Sequence, residues 1–186
     1  MRDKYVAFDD DTGAPMFVPG TAAGGLSSAA ALTVTFARPD NVLDYAAGAV
    51  IGTATDATAA LTLAGLAVPG QAALITGTGL FLGMTAIPSG MTSFSLALYS
   101  ATPPSALADN VAWSLPSGDR PFFLGIVSLG SPADLGTVLW SEQNALLKQV
   151  QVAADSDELF AYLITTAAWT PEAETEITVT LQTRAA

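Results

Sequence analysis

Apolar and polar residues alternate with period two along most of this chain, the spacing of half-buried β-strands. Leu32, Val34 and Phe36 share one face, with Thr33 and Thr35 on the other. The same pattern recurs at Leu61 and Leu63, at Phe94, Leu96 and Leu98, at Val150 and Val152, at Phe160, Tyr162 and Ile164, and at Ile177, Val179 and Leu181. Around Phe122, Leu124 and Ile126 both faces are apolar. Residues 49–52 and 72–82 complete the set. Turn chemistry separates these segments at Arg38-Pro39-Asp40-Asn41, Val68-Pro69-Gly70, Pro88-Ser89-Gly90, Pro116-Ser117-Gly118-Asp119, Ser131-Pro132 and Ala154-Asp155-Ser156-Asp157. Helical spacing is confined to short windows, of which residues 142–148 are the best, with another short turn expected at 105–113. Eight to ten short strands at this spacing predict an all-β fold, a jelly-roll-like antiparallel β-sandwich of about eight strands with an N-terminal arm.

The arm is residues 1–31. A short strand is expected at residues 4–8, followed by the acidic turn Asp9-Asp10-Asp11 and a Gly/Ala/Ser-rich stretch from 20 to 31. Residues 32–186 form the sandwich domain, and a chain of 186 residues is long enough to bury a substantial core.

Charge changes this picture most. Residues 57–108 contain no Asp, Glu, Lys or Arg. Gly65, Pro69, Gly70, Gly77, Gly79, Gly83, Pro88 and Gly90 interrupt that run too often for a spanning helix, which needs ~20 apolar residues. Met1-Arg2-Asp3-Lys4 leads into a strand-like segment with no apolar signal core, so an exported outer-membrane barrel is not expected. The run therefore reads as consecutive strands, about four of them, with outward faces of Thr, Ser, Ala and Gly. Part of that surface is expected to meet another protein.

Composition removes whole classes of chemistry. Histidine and cysteine are absent, so His- or Cys-dependent nucleophile systems and His/Cys metal sites cannot be built. The net charge of −11, from 6 basic against 17 acidic residues, repels nucleic acid and anionic lipid. Glu172, Glu174 and Glu176 share a face if the last strand starts early, and they read as a solvated strand end rather than a catalytic pair. Asp9-Asp10-Asp11 and Asp155-Ser156-Asp157-Glu158 offer hard oxygen ligands without the spacing of a calcium loop, and read as turn residues. Gly77-Thr78-Gly79-Leu80-Phe81-Leu82-Gly83 has the wrong spacing for a dinucleotide loop and lies in a strand. Trp113, Trp140 and Trp169 fall near strand ends, as rim or core packing. No cofactor, metal, nucleic-acid or membrane partner is expected, and no enzymatic activity.

Two stretches carry a resemblance. One runs from Phe94-Ser95-Leu96-Ala97-Leu98-Tyr99 through Pro103-Pro104 and Asp109-Asn110 to Gly118-Asp119-Arg120-Pro121-Phe122-Phe123. The other is Phe36-Ala37-Arg38-Pro39-Asp40-Asn41 with Tyr45 and residues 46–52. With the closing 159–181 region, they resemble small virion structural proteins of tailed bacteriophages, of the head decoration or cement type, over residues 32–182. The resemblance implies a β-rich accessory protein on the capsid exterior, assembled in the host cytoplasm as a dimer or trimer. It would stabilise contacts between major capsid subunits, and it carries over no catalytic residue. Expected interface positions are Pro15, Met16, Phe17, Val18 and Leu26 on the arm and Trp113 on the domain. The alternative is a receptor- or carbohydrate-binding β-sandwich of a tail or fibre, in which Trp113 would stack on a sugar.

Overall fold

In the computed structural model, the described residues are 7–8, 15–16, 29–53, 58–66 and 69–186. They form strands β1 (Ala7–Phe8), β2 (Pro15–Met16), β3 (Ala30–Ala37), β4 (Val50–Ile51), β5 (Leu61–Leu63), β6 (Ala72–Leu82), β7 (Phe94–Tyr99), β8 (Phe123–Gly130), β9 (Ala133–Asp134), β10 (Leu139–Gln151), β11 (Leu159–Thr165) and β12 (Glu176–Ala185). β1 and β2 pair with each other, Ala7 opposite Met16, so the segment read as an arm contains a two-stranded ribbon. The rest of residues 9–28 lies outside the described residues.

The remaining strands form two antiparallel sheets. The first has the order β3-β12-β6-β10-β9, and the second β4-β11-β7-β8 with β5 also on β11. From β3 onward the chain repeatedly passes between the sheets, the two-Greek-key path of a jelly roll. β4 and β5 occupy one strand position. Ile51 faces Leu163 and Leu61 faces Ala161 along the same edge of β11. Between the two strands, Gly52 comes so close to Ala59 that a Cβ on the glycine would overlap it.

The inner faces supply one core. Leu32, Ile75, Leu80, Leu82, Leu139, Val150, Ile177, Val179 and Leu181 come from the first sheet. Ile51, Leu61, Leu63, Phe94, Leu96, Leu98, Leu129, Leu159 and Leu163 come from the second. These are the period-two apolar sets, and burying each large side chain contributes about 1.5–3 kcal/mol.

Two inward positions break the pattern of hydroxyls facing out. Thr78 donates from Oγ1 to the Ser128 carbonyl at 3.1 Å, and Ser141 donates from Oγ to the Leu129 carbonyl at 2.6 Å. β8 has a ladder partner on its β7 side only, so these carbonyls on its free edge would otherwise be unpaired. The hydroxyls of the first sheet close the sandwich along that edge.

Residues 142–148 are not helical. They lie in β10, where Glu142 faces Gly79, Gln143 faces Thr78 and Asn144 faces Gly77. The pairing then slips between Asn144 and Lys148. Ala145 adopts a left-handed φ of 62°, and the bulge leaves Leu147 76% exposed. The ladder to β6 outweighs a marginal local helix propensity. The charge-free run supplies three strands, β5, β6 and β7, rather than four, because 83–93 and 100–108 are connections. β12 starts at Glu176, which leaves Glu172 and Glu174 in the preceding loop and not on a shared strand face.

Replacing Ser141 by Ala leaves a buried carbonyl unpaired and is expected to cost about 1–3 kcal/mol. Thr33→Val on the exposed face should change stability by less than about 0.5 kcal/mol. Urea unfolding monitored by tryptophan fluorescence measures both.

Candidate interaction surfaces

The outer face of the first sheet is built from rows of paired residues. Thr33 meets Thr180 (3.2 Å between hydroxyls) and Thr35 meets Thr178 (2.8 Å) on neighbouring strands. On β6 the outward positions include Gly77 and Gly79, opposite Gln182 and Thr180. A Cβ at Gly79 would fall 2.8 Å from the Trp140 ring, and one at Gly77 would fall 2.6 Å from the Gln182 amide oxygen. Neighbouring side chains therefore lie across the bare glycine backbone, and Trp140 also packs edge-on against Phe81 at 5.4 Å. Among the described residues on this face, the charged side chains are Glu142, Glu176 and Arg184. Ordinary surfaces of small domains are about a quarter to a third charged. This face is instead a shallow relief of hydroxyls, glycine and two aromatic rings.

The outer face of the second sheet is covered over β7 and β11 by the protein itself. Val50, Ala97, Tyr99, Tyr162 and Ile164 form a second apolar cluster beneath Leu107, Trp113, Leu115 and Phe122 of the 100–122 connection. The Tyr162 hydroxyl accepts the Leu107 N–H at 3.0 Å, and the Leu107 carbonyl accepts the Ala59 N–H at 2.7 Å. Asp119, almost fully buried, accepts the Ser105 N–H. Trp113 Nε1 donates to the Tyr99 hydroxyl at 3.1 Å, and its ring packs on Phe123. Burial and then hydrogen bonding set the Tyr99 phenol, whose pKa is raised, with desolvation the largest cause. Of the other expected interface residues, Pro15 and Met16 form β2, while Phe17, Val18 and Leu26 lie outside the described residues.

At one end of the sandwich a polar network pins three segments together. Arg38, 3% exposed, donates from Nε to the Tyr45 hydroxyl at 2.6 Å and from a terminal nitrogen to the Glu172 carbonyl at 2.7 Å. Its guanidinium carbon lies 4.7 Å from the Tyr45 ring centre, within cation–π range. Tyr45 in turn donates to Asp109 Oδ1 at 2.7 Å, which also accepts the Gly52 N–H at 2.8 Å. The phenol is pushed well above its ordinary value, chiefly by burial and in part by Asp109, against the opposing effect of Arg38. Sequence reasoning passed over this trio, because Asp109 is 64 residues from Tyr45 and no local spacing links them.

Among the described residues no group of three or more acidic side chains could hold a metal ion. Asp155, Asp157 and Glu158 lie on the β10–β11 turn, where Glu158 N–H bonds the Ser156 hydroxyl. The Asp9-Asp10-Asp11 cluster lies outside the described residues. No helix among the described residues is long and apolar enough to cross a membrane.

No protein-family model matches the chain, and no curated protein does. Solved structures that show a weak similarity to this chain include the following three. A chain of the full Israeli acute paralysis virus particle heated to 63 degrees is 16% identical, with a TM-score of 0.31, covering 85% of this chain and 72% of its own. One from infectious bursal disease virus, Gx strain, is 13% identical at a TM-score of 0.33. It covers 97% of this chain, which spans only 39% of that longer one. One from Desmodium yellow mottle tymovirus is 14% identical at 0.26, covering 100% and 95%. All three come from viruses. The jelly-roll assignment stands on this protein's own strand order.

Two outcomes follow from the buried phenols. Tyr45→Phe leaves Arg38 Nε and Asp109 short of a partner and is expected to cost about 1–3 kcal/mol in urea unfolding at neutral pH. A raised folded-state phenol favours the protonated form. Its stabilising contribution is complete below the ordinary value of about 10 and is lost as pH rises above it. Absorbance titration at 295 nm should show Tyr45 ionising only with unfolding, and Tyr45→Phe should make the alkaline loss of stability shallower.

Proposed function

We propose that this protein is a non-enzymatic virion structural protein, a capsid decoration or cement protein that stabilises contacts between major capsid subunits. The observation that carries the reading is the outer face of the β3-β12-β6-β10 sheet. It is broad and nearly uncharged, on a protein whose net charge is −11. The outer face of the second sheet, by contrast, is covered over β7 and β11 by the 100–122 connection and is open only along β8, where Ile126 is exposed. A flat neutral face can be buried against a neighbour without stranding charges, the main cost of desolvating an ordinary surface. Many copies on one particle multiply a modest contact into particle stability through mass action.

The jelly roll is shared by viral capsid, lectin and cupin domains, and fold alone does not choose among them. This chain has no histidine for a cupin-type metal centre. The aromatic residue on which a sugar-stacking reading would rest, Trp113, is engaged by Tyr99 and Phe123. The resemblance to phage decoration proteins supports the placement on a capsid exterior, with the major capsid protein as partner and a homo-oligomer as the unit bound.

Particles assembled without the protein, then supplemented with it, test the reading. Heat resistance should rise with native protein. The single variant Thr33→Glu, charged on the neutral face, should bind particles more than about tenfold less tightly while its thermal unfolding changes little. Particles equally heat-resistant with and without the protein would remove the proposal.

A further inference from the structure

Exposed large apolar side chains gather at one end of the sandwich. Val42 and Leu43, 62% and 63% exposed, sit in the 38–49 connection; Ile87 lies in 83–93 and Leu135 in 131–138. These connections join the sheets at the same end as 166–175, to which the first is tied by the Arg38–Glu172 and Tyr45–Trp169 contacts. The acids there are Asp40, Asp44, Asp134, Glu172 and Glu174, all exposed. Among the described residues, the cationic groups lie elsewhere. Arg120 precedes β8, Lys148 follows the β10 bulge and Arg184 ends β12, all at the far end, while Arg38 is buried.

Within this end lies a cleft of about 300 Å³, walled by Pro39, Leu43 and Ala108 and lined by Asn41, Asp109 and Asn110. Asp109 is held ready for a ligand. Its Oδ1 is fixed by Tyr45 and Gly52, and its Oδ2 accepts no hydrogen bond from the described residues. Arg38 offsets one negative charge beneath the cleft, but Asp40, Asp44 and Asp109 leave the mouth net acidic. We propose that this cleft receives an arginine side chain of a partner protein of opposite charge, flanked on that partner by apolar residues. The alkyl stem packs on Pro39, Leu43 and Ala108, and the planar guanidinium bonds the Asp109 carboxylate, a pairing that is strong when partly desolvated. Val42, Leu43 and Val111 on the rim meet the flanking apolar groups. This end of a second copy is a poor occupant, because each copy presents acids here and its described cationic groups lie at the far end or are buried. The cleft lies at a loop end, off the neutral sheet face, so its occupancy does not depend on what that face meets.

The probe is the capped tripeptide acetyl-Leu-Arg-Leu-amide, with its neutral citrulline counterpart as control, titrated into ¹⁵N-labelled full-length protein. The arginine peptide should shift the amides of residues 41–44 and 108–111 and bind about tenfold more tightly than the citrulline peptide. Asp109→Asn, which keeps the Oδ1 acceptor, should remove that preference, and Asp155→Asn at the far end should not. Leu43→Ser, at an exposed position where folding is not at stake, should weaken both peptides alike. Equal binding of the two peptides, or shifts as large at residues 155–158 as at the cleft, overturns the proposal. So does concentration-dependent self-association that broadens the cleft amides without peptide.

Discussion

Strands β7 and β11 are buried on both faces, and the rest of the architecture follows from that constraint. Their inward residues, Phe94, Leu96, Leu98, Leu159 and Leu163, belong to the main core. Their outward residues, Ala97, Tyr99, Tyr162 and Ile164, form a second cluster. A sheet apolar on both sides needs a third layer, and the chain provides it by folding residues 100–122 back over its own second sheet. That layer recruits Trp113 and Leu107 and makes hydrogen-bonding partners of two buried phenols. A charged side chain on these strands would lose its hydration without a partner, so the absence of charge there has a structural cause.

The two sheets are consequently unlike. The second is covered over β7 and β11 by its own polypeptide, and the first is bare outside. On that bare face threonine pairs bridge β3 and β12, and glycines on β6 are roofed by Trp140 and Gln182. This sheet needs no third layer to be stable, since its inward side already fills the core. Its neutrality is not required by folding, which is why it is read as a surface kept for a neighbour. The charged groups are displaced to the loops, and the acidic residues gather with exposed apolar tips at the end pinned by Arg38, Tyr45 and Asp109.

Much of the sandwich was legible from residue order. Alternation marked residues 32–36, 93–98, 159–164 and 176–182 as strands, and glycine and proline marked the turns, because side-chain direction in a strand reverses at every residue. The outward Ser/Thr/Ala/Gly composition was legible for the same reason. Residues 142–148 were misread as helical since a bulge breaks the period-two pattern at Ala145. Thr78 fell in the run whose threonines were read as outward, yet it points in, as does Ser141, to bond carbonyls of a strand more than ten residues away along the chain. Residues 49–52 and 61–63 were legible as two separate strands, but not that both line one edge of β11.

By itself the sequence determined the class of fold, the absence of His- and Cys-based chemistry and the existence of a long neutral stretch. Those depend on local periodicity and composition. Only the tertiary structure decided which part of the neutral stretch is buried by the chain's own 100–122 segment and which part, on β6, faces outward. It also decided that a lone arginine before a proline, a tyrosine seven residues on and an aspartate far beyond them form one network. Contacts between residues so distant along the chain carry no periodic signal, and they come into being when the two sheets close on each other.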